Sequence, residues 1–118
     1  MANNKLEVSL PAINKGQEFA VLTGKSPIYF YEDGKRTSET PIGTKITVAL
    51  QGNCFTSLTV KIEGKTDPLP NITDEEIETS LVNIELFVVK FTDCRITLYN
   101  IGGKMIMSAT ATGVEIVK

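Results

Sequence analysis

Leu58-Thr59-Val60-Lys61-Ile62-Glu63 and, after a loop holding Pro68 and Pro70, Ile72-Thr73-Asp74-Glu75-Glu76-Ile77 decide the fold between them. The first stretch alternates apolar and polar residues, the period-two signature of a half-buried strand. The second is a helix start. Thr73 is placed as N-cap and Glu76, three residues on, as its reciprocal partner, while Ile72 and Ile77 bracket them as a hydrophobic staple. Asp74, Glu75 and Glu76 sit where the helix dipole favours anions. Thr79 and Ser80 are poor helix residues, so the helix is expected to span about 74–80.

Outward from this helix the pattern returns to period two on both sides. Ile46, Val48 and Leu50 alternate with Lys45, Thr47 and Ala49; Ile28 and Phe30 alternate with Tyr29 and Tyr31. On the far side Val82, Ile84, Leu86 and Val88 form the longest alternating run, followed by Ile96 and Leu98. Strands are therefore expected at 27–32, 44–50 and 57–63 before the helix and at 81–90 and 94–101 after it. Further pieces at 17–22, 104–109 and 114–117 would extend or cap the sheet. Asp33-Gly34 and Gly102-Gly103 read as tight hairpin turns, because glycine accepts positive φ. Three strands, one short helix and two strands is the order of an OB-fold. The expectation is a mainly β chain forming a small antiparallel β-barrel, with a β-sandwich as the alternative closure. Ile46, Val48, Val60, Ile62, Ile84, Leu86, Ile96 and Leu98 should share its core.

The chain's 118 residues suit a single domain, 1–118, with residues 1–16 as a flexible or edge-strand N-terminal arm. The hydrophobic fraction of 42% and charged fraction of 22% are those of a globular protein with a packed core. No apolar run reaches the length of a membrane span, and Met1-Ala2-Asn3-Asn4-Lys5 lacks the apolar stretch of a signal peptide, so a cytoplasmic protein with no membrane partner is expected. Cys54 and Cys94 form no CxxC pair and read as two reduced, partly buried thiols.

The absence of histidine removes the commonest general base and metal ligand, which points away from an enzyme and from a metal or other cofactor. Gly24-Lys25-Ser26 has the ending of a phosphate-binding loop but lacks the upstream glycine, and Pro27 with a strand pattern follows where a helix is needed. Asp67, Asp74, Glu75, Glu76 and Glu78 are carboxylates of the kind that bind a divalent cation, yet capping and a solvated loop account for most of them.

Charge distribution is more informative than the formal net charge of −2. Residues 67–89 hold six acidic residues and no basic one, which leaves a net +4 on the rest of the chain. The positions opposite the aliphatic stripes carry Tyr29, Tyr31, Lys45, Lys61, Arg95 and Tyr99, and Lys35 and Arg36 follow the Asp33-Gly34 turn. Rings interleaved with cations suit a single strand of nucleic acid, whose bases stack while its phosphates are neutralised. They equally suit the solvated face of a sheet, because tyrosine and lysine are ordinary there. As a binding face, these eight residues should lie together and away from the acidic segment.

The segments Tyr29-Phe30-Tyr31-Glu32-Asp33-Gly34-Lys35-Arg36-Thr37, Gly43-Thr44-Lys45-Ile46-Thr47-Val48, Leu58-Thr59-Val60-Lys61-Ile62 and Ile106-Met107-Ser108-Ala109-Thr110-Ala111 resemble small proteins of Gram-positive conjugative elements, plasmids and phages. Among these the helicase-processivity accessory proteins of integrative and conjugative elements stand nearest. The resemblance spans roughly residues 28–111. It implies a non-enzymatic, single-stranded-DNA-binding accessory role in replication or transfer, beside an element-encoded helicase or replication protein. The ending Glu115-Ile116-Val117-Lys118 does not match the acidic, Phe-ended tail of bacterial single-strand-binding proteins, so recruitment through such a tail is not expected. A protein-interaction or structural module is the other reading, and a homo-oligomer is compatible with either.

Overall fold

The computed structural model describes residues 5–29, 31–36, 40–64 and 66–117. Among them run β1 (Lys5–Val8), α1 (Leu10–Ile13), β2 (Phe19–Ile28), β3 (Tyr31–Glu32), β4 (Lys35–Arg36), β5 (Gly43–Leu50), β6 (Thr56–Glu63), α2 (Asp74–Asn83), β7 (Val88–Thr92), β8 (Arg95–Ile101), β9 (Lys104–Ala111) and β10 (Gly113–Ile116). The main sheet has the order β1-β8-β9-β6-β5-β2-β7-β10, and β3-β4 form a separate hairpin.

That curled order turns back on itself. β7 and β8 are separated only by Asp93 and Cys94, and β9 and β10 only by Thr112. The four make one long, bent hairpin, paired as Arg95–Thr110 on one side of the bend and Thr92–Gly113 on the other. Its β9 half pairs with β6 and its β7 half with β2, while β2, β5 and β6 form a meander. The result is one curled, barrel-like sheet, with α2 inserted between β6 and β7, the third and fourth strands counted from β2. β6 and β9 run parallel, so the barrel is not wholly antiparallel as expected. The cause is topological: the chain leaves β6, crosses through α2, ascends the hairpin and returns alongside β6.

The core follows from alternation. Ile46, Val48, Leu50, Leu58, Val60, Ile62 and Ile96 are all buried, and Leu98 packs partly against them. Leu69, Ile72 and Ile77 from the proline loop and α2 add to the same cluster. Burying one such side chain contributes about 1.5–3 kcal/mol.

The capping box is present: Thr73 Oγ1 accepts the Glu76 N–H at 3.1 Å, and Glu76 Oε1 accepts the Thr73 N–H at 3.1 Å. The helix nonetheless runs on to Asn83, past the expected end. This overturns the strand expected over 81–90. Ile77 and Ser80, three apart, face the barrel with Leu81 beside them, so Val82 and Ile84 point to solvent and the strand begins at Val88. Ile84 is 79% exposed rather than a core residue, and Leu86 is half-buried outside the main cluster. The pieces expected at 17–22 and 27–32 are joined as β2, with Tyr31 beyond it in β3. The N-terminal arm is an edge strand, β1, followed by a helical turn whose Leu10 is buried. Both hairpin turns form with positive φ at Asp33, Gly34, Gly102 and Gly103. Cys54 and Cys94 are free thiols, and Cys54 is exposed rather than partly buried.

Candidate nucleic-acid interface

Strand register places three of the expected cations in one line. Lys45 on β5 lies opposite Lys61 on β6, Lys61 opposite Thr110 on β9, and Thr110 opposite Arg95 on β8. Directly paired residues share a face of a sheet. Ser26 on β2, opposite Lys45, begins the row. All five are exposed, and the next residues inward, Ile46, Val60, Ala109 and Ile96, are buried, so the row crosses the outside of the barrel. At about 4.8 Å per strand step, Lys61 is roughly 5 Å from Lys45 and roughly 10 Å from Arg95 across the sheet. Among the described residues the ion pairs are Lys25–Asp67 and Lys90–Glu18, so none of these three cations is spent on an acid.

A line of hydroxyls runs beside the cations. Thr47 faces Thr59, their Oγ1 atoms 3.4 Å apart, and Thr97 faces Ser108. Further along β8, Tyr99 lies on the same face as Arg95 but four residues away, about 13 Å, where it pairs with Ile106 near the β8–β9 turn.

The other expected residues lie in the β2–β5 connection instead of on the strands. Tyr29 follows β2, half-buried, and the Arg36 guanidinium stacks over its ring at 4.5 Å from the centroid, a cation–π contact. Lys35 is exposed at the hairpin, next to the turn. Tyr31 pairs through its backbone with Arg36; its side chain, like the whole of Phe30, lies outside the described residues. The eight residues thus divide into a central cation row, a tyrosine toward the β8–β9 turn and a cation–tyrosine hairpin at the opposite rim.

The acidic segment is not wholly apart from them. Asp67 and Asp74 line the same cleft as Tyr29. Asp67 is neutralised there by Lys25, a residue that sequence reading did not place. Its Nζ donates to Asp67 Oδ2 at 2.7 Å, to the Leu69 carbonyl at 2.9 Å and to the Ile72 carbonyl. These three acceptors match the three donors of an ammonium. Asn14, fully buried, is a second such residue. Its Nδ2 donates to the Phe19 carbonyl at 2.9 Å and its Oδ1 accepts the Gly52 N–H at 2.7 Å, tying the N-terminal turn to the β5–β6 connection. No group of three or more Cys, Asp or Glu side chains suited to a metal occurs among the described residues, where no helix is long and apolar enough to cross a membrane.

Comparison with protein-family models, with curated proteins and with solved structures returned no match.

Proposed function

We propose that this chain is a non-enzymatic single-stranded-DNA-binding accessory protein of a mobile element or phage, supporting replication or transfer. One observation carries the reading: Lys45, Lys61 and Arg95 stand in one register row on the outside of the barrel without an acidic partner among the described residues. Like charges set directly opposite across strands cost stability, so Lys45 facing Lys61 calls for an anion from outside. OB barrels bind oligonucleotides on the outer face of their second and third strands, between the loop joining strands one and two and the loop joining four and five. Here those strands are β5 and β6, and those loops carry Tyr29, Lys35 and Arg36 on one side and the Gly102-Gly103 turn on the other. The resemblance to conjugative-element proteins favours DNA, with a helicase or replication protein as companion.

Fluorescence anisotropy with labelled oligonucleotides tests this directly. Affinity should fall with salt at a slope of about −0.7 per phosphate neutralised, hence roughly −2 for three cations. No binding to single-stranded DNA or RNA at high micromolar protein would sink the proposal. The second reading, a protein-interaction module, draws on Leu6, Ile101, Met105 and Ile106, exposed around β1 and the β8–β9 turn. Association through that surface would be insensitive to salt or strengthened by it.

A further inference from the structure

The parallel ladder between β6 and β9 ends at the pair Ile62–Ala111. Beyond it Glu63 pairs with Gly43 on β5, and Gly113 pairs with Thr92 on β7, so the two strands part company. A groove of about 800 Å³ opens in the gap, within the size range of small-ligand sites.

Its lining is divided by chemistry. Ile28, Ile42 and Ile62 supply aliphatic surface, and Lys61 and Arg95 supply two cations of the row already described. Ile42 is 46% exposed, yet its backbone is held on both sides. Its N–H donates to the Ile28 carbonyl at 2.7 Å, and its carbonyl accepts the Gly64 N–H at 3.0 Å. Gly43 beside it has no room for a side chain: a Cβ would lie 2.8 Å from the Ile62 carbonyl oxygen and 3.4 Å from Ile28 Cδ1. A large aliphatic group is thus presented rigidly to solvent next to two cations.

We propose that this groove receives one unstacked base of the bound single strand, with its flanking phosphates on Lys61 and Arg95. The inference rests on the single-strand reading and adds to it the unit that the groove takes. An apolar wall has no use for a phosphate, and the cations have none for an apolar chain; a nucleotide carries both surfaces. Glu63 and Asp93 line the same groove. Their charge disfavours a polyphosphate there, while carboxylates accept hydrogen bonds from exocyclic amino groups of bases. Thr112 Oγ1 lies 3.4 Å from Asp93 Oδ2 and 3.1 Å from the Thr92 carbonyl, which leaves the carboxylate with acceptor capacity.

The test compares a labelled oligocytidylate with an abasic oligonucleotide of equal length, by anisotropy at one salt concentration. The wild-type protein should prefer the base-bearing strand by roughly tenfold, within the range for one base contact. Ile42→Ser and Ile42→Ala, checked for unchanged circular dichroism and urea midpoint, should remove most of that preference and leave the salt slope intact. Lys61→Gln should instead weaken both strands alike and flatten the slope. Retention of the full base preference in both Ile42 variants would overturn the groove assignment while the single-strand reading stood. Failure of the wild-type protein to bind either strand would overturn both.

Discussion

At the scale of single residues, Lys25 shows how one irregularity redirects chemistry. Ala20 and Leu22 are fully buried on β2, and plain alternation from them puts Lys25 on the outside. A bulge between Leu22 and Gly24 shifts the register, and the Thr23 hydroxyl donates to the Thr47 carbonyl at 3.1 Å beside it. Lys25 therefore pairs with buried Ile46 and turns inward, its side chain 10% exposed, to hold the 67–72 loop against the barrel. A one-residue shift of this kind leaves no trace in composition or motif, so Lys25 was illegible in the sequence. Lys25→Met should cost roughly 1–3 kcal/mol in urea denaturation, because the Leu69 and Ile72 carbonyls lose their donor. Asp67→Asn should cost under about 1 kcal/mol, since the Asp67 side chain is 40% exposed and open to water. Cys94 gives a second expectation at this scale. Burial pushes its thiol from 9.0 up to about 11, so the neutral form is favoured in the folded protein. Its contribution to stability is complete below pH 9 and is lost as pH rises through 11. A disulfide reagent at pH 8 should modify exposed Cys54 rapidly and Cys94 only slowly, and both at once in denaturant. Equal rates in the folded protein would contradict the burial of Cys94.

At the scale of elements, the signals that were legible are those with a local cause. The capping box at Thr73, the Asp33-Gly34 and Gly102-Gly103 turns, and β5 and β6 all formed where residue chemistry alone dictates them. The end of α2 was illegible because two periods coincide there. Val82, Ile84, Leu86 and Val88 alternate, but Ile77, Ser80 and Leu81 also fall on one helical face, and packing against the barrel favours the helix. The helix then stops on a residue with poor intrinsic suitability. Ile84 takes φ +57, its N–H donates to the Leu81 carbonyl at 3.4 Å, and the Glu85 N–H donates to the Ser80 carbonyl at 3.0 Å. That is the geometry of a helix C-terminal motif in which glycine is the usual occupant. A β-branched side chain in the left-handed region costs about 1–2 kcal/mol, and solvent-exposed Ile84 recovers little of it by burial. Ile84→Gly should therefore raise stability, by up to about 1 kcal/mol after the entropy of glycine in the unfolded chain is deducted. A lowered urea midpoint for this variant would mean that Ile84 packs on something the barrel does not supply.

At the scale of the whole molecule, what the sequence concealed was how its faces meet. Each strand announces an inside and an outside, but only the ladder shows that Lys45, Lys61 and Arg95, drawn from positions fifty residues apart, fall into one row. The parallel β6–β9 contact that completes the row joins segments separated by the helix and the first arm of the long hairpin, and no local pattern encodes it. The same arrangement sets stability against binding. Lys45 and Lys61 face each other on an exposed surface, where like charges destabilise a cross-strand pair and opposite charges stabilise it, by roughly 0.2–1 kcal/mol. Lys61→Glu should consequently raise the urea midpoint by an amount of that order. If the row were merely a solvated sheet face, nothing else would change. If it neutralises phosphates, the same substitution removes one contact and adds a repulsive charge. Affinity for single-stranded DNA should then fall more than in Lys61→Gln, and the magnitude of the salt slope should drop by at least about 0.7. Measuring both quantities on one protein preparation separates the cases. A variant more stable and weaker in binding marks a row whose charge is maintained for a ligand. A variant more stable and unchanged in binding would remove Lys61 from the interface and leave the cation row without a function.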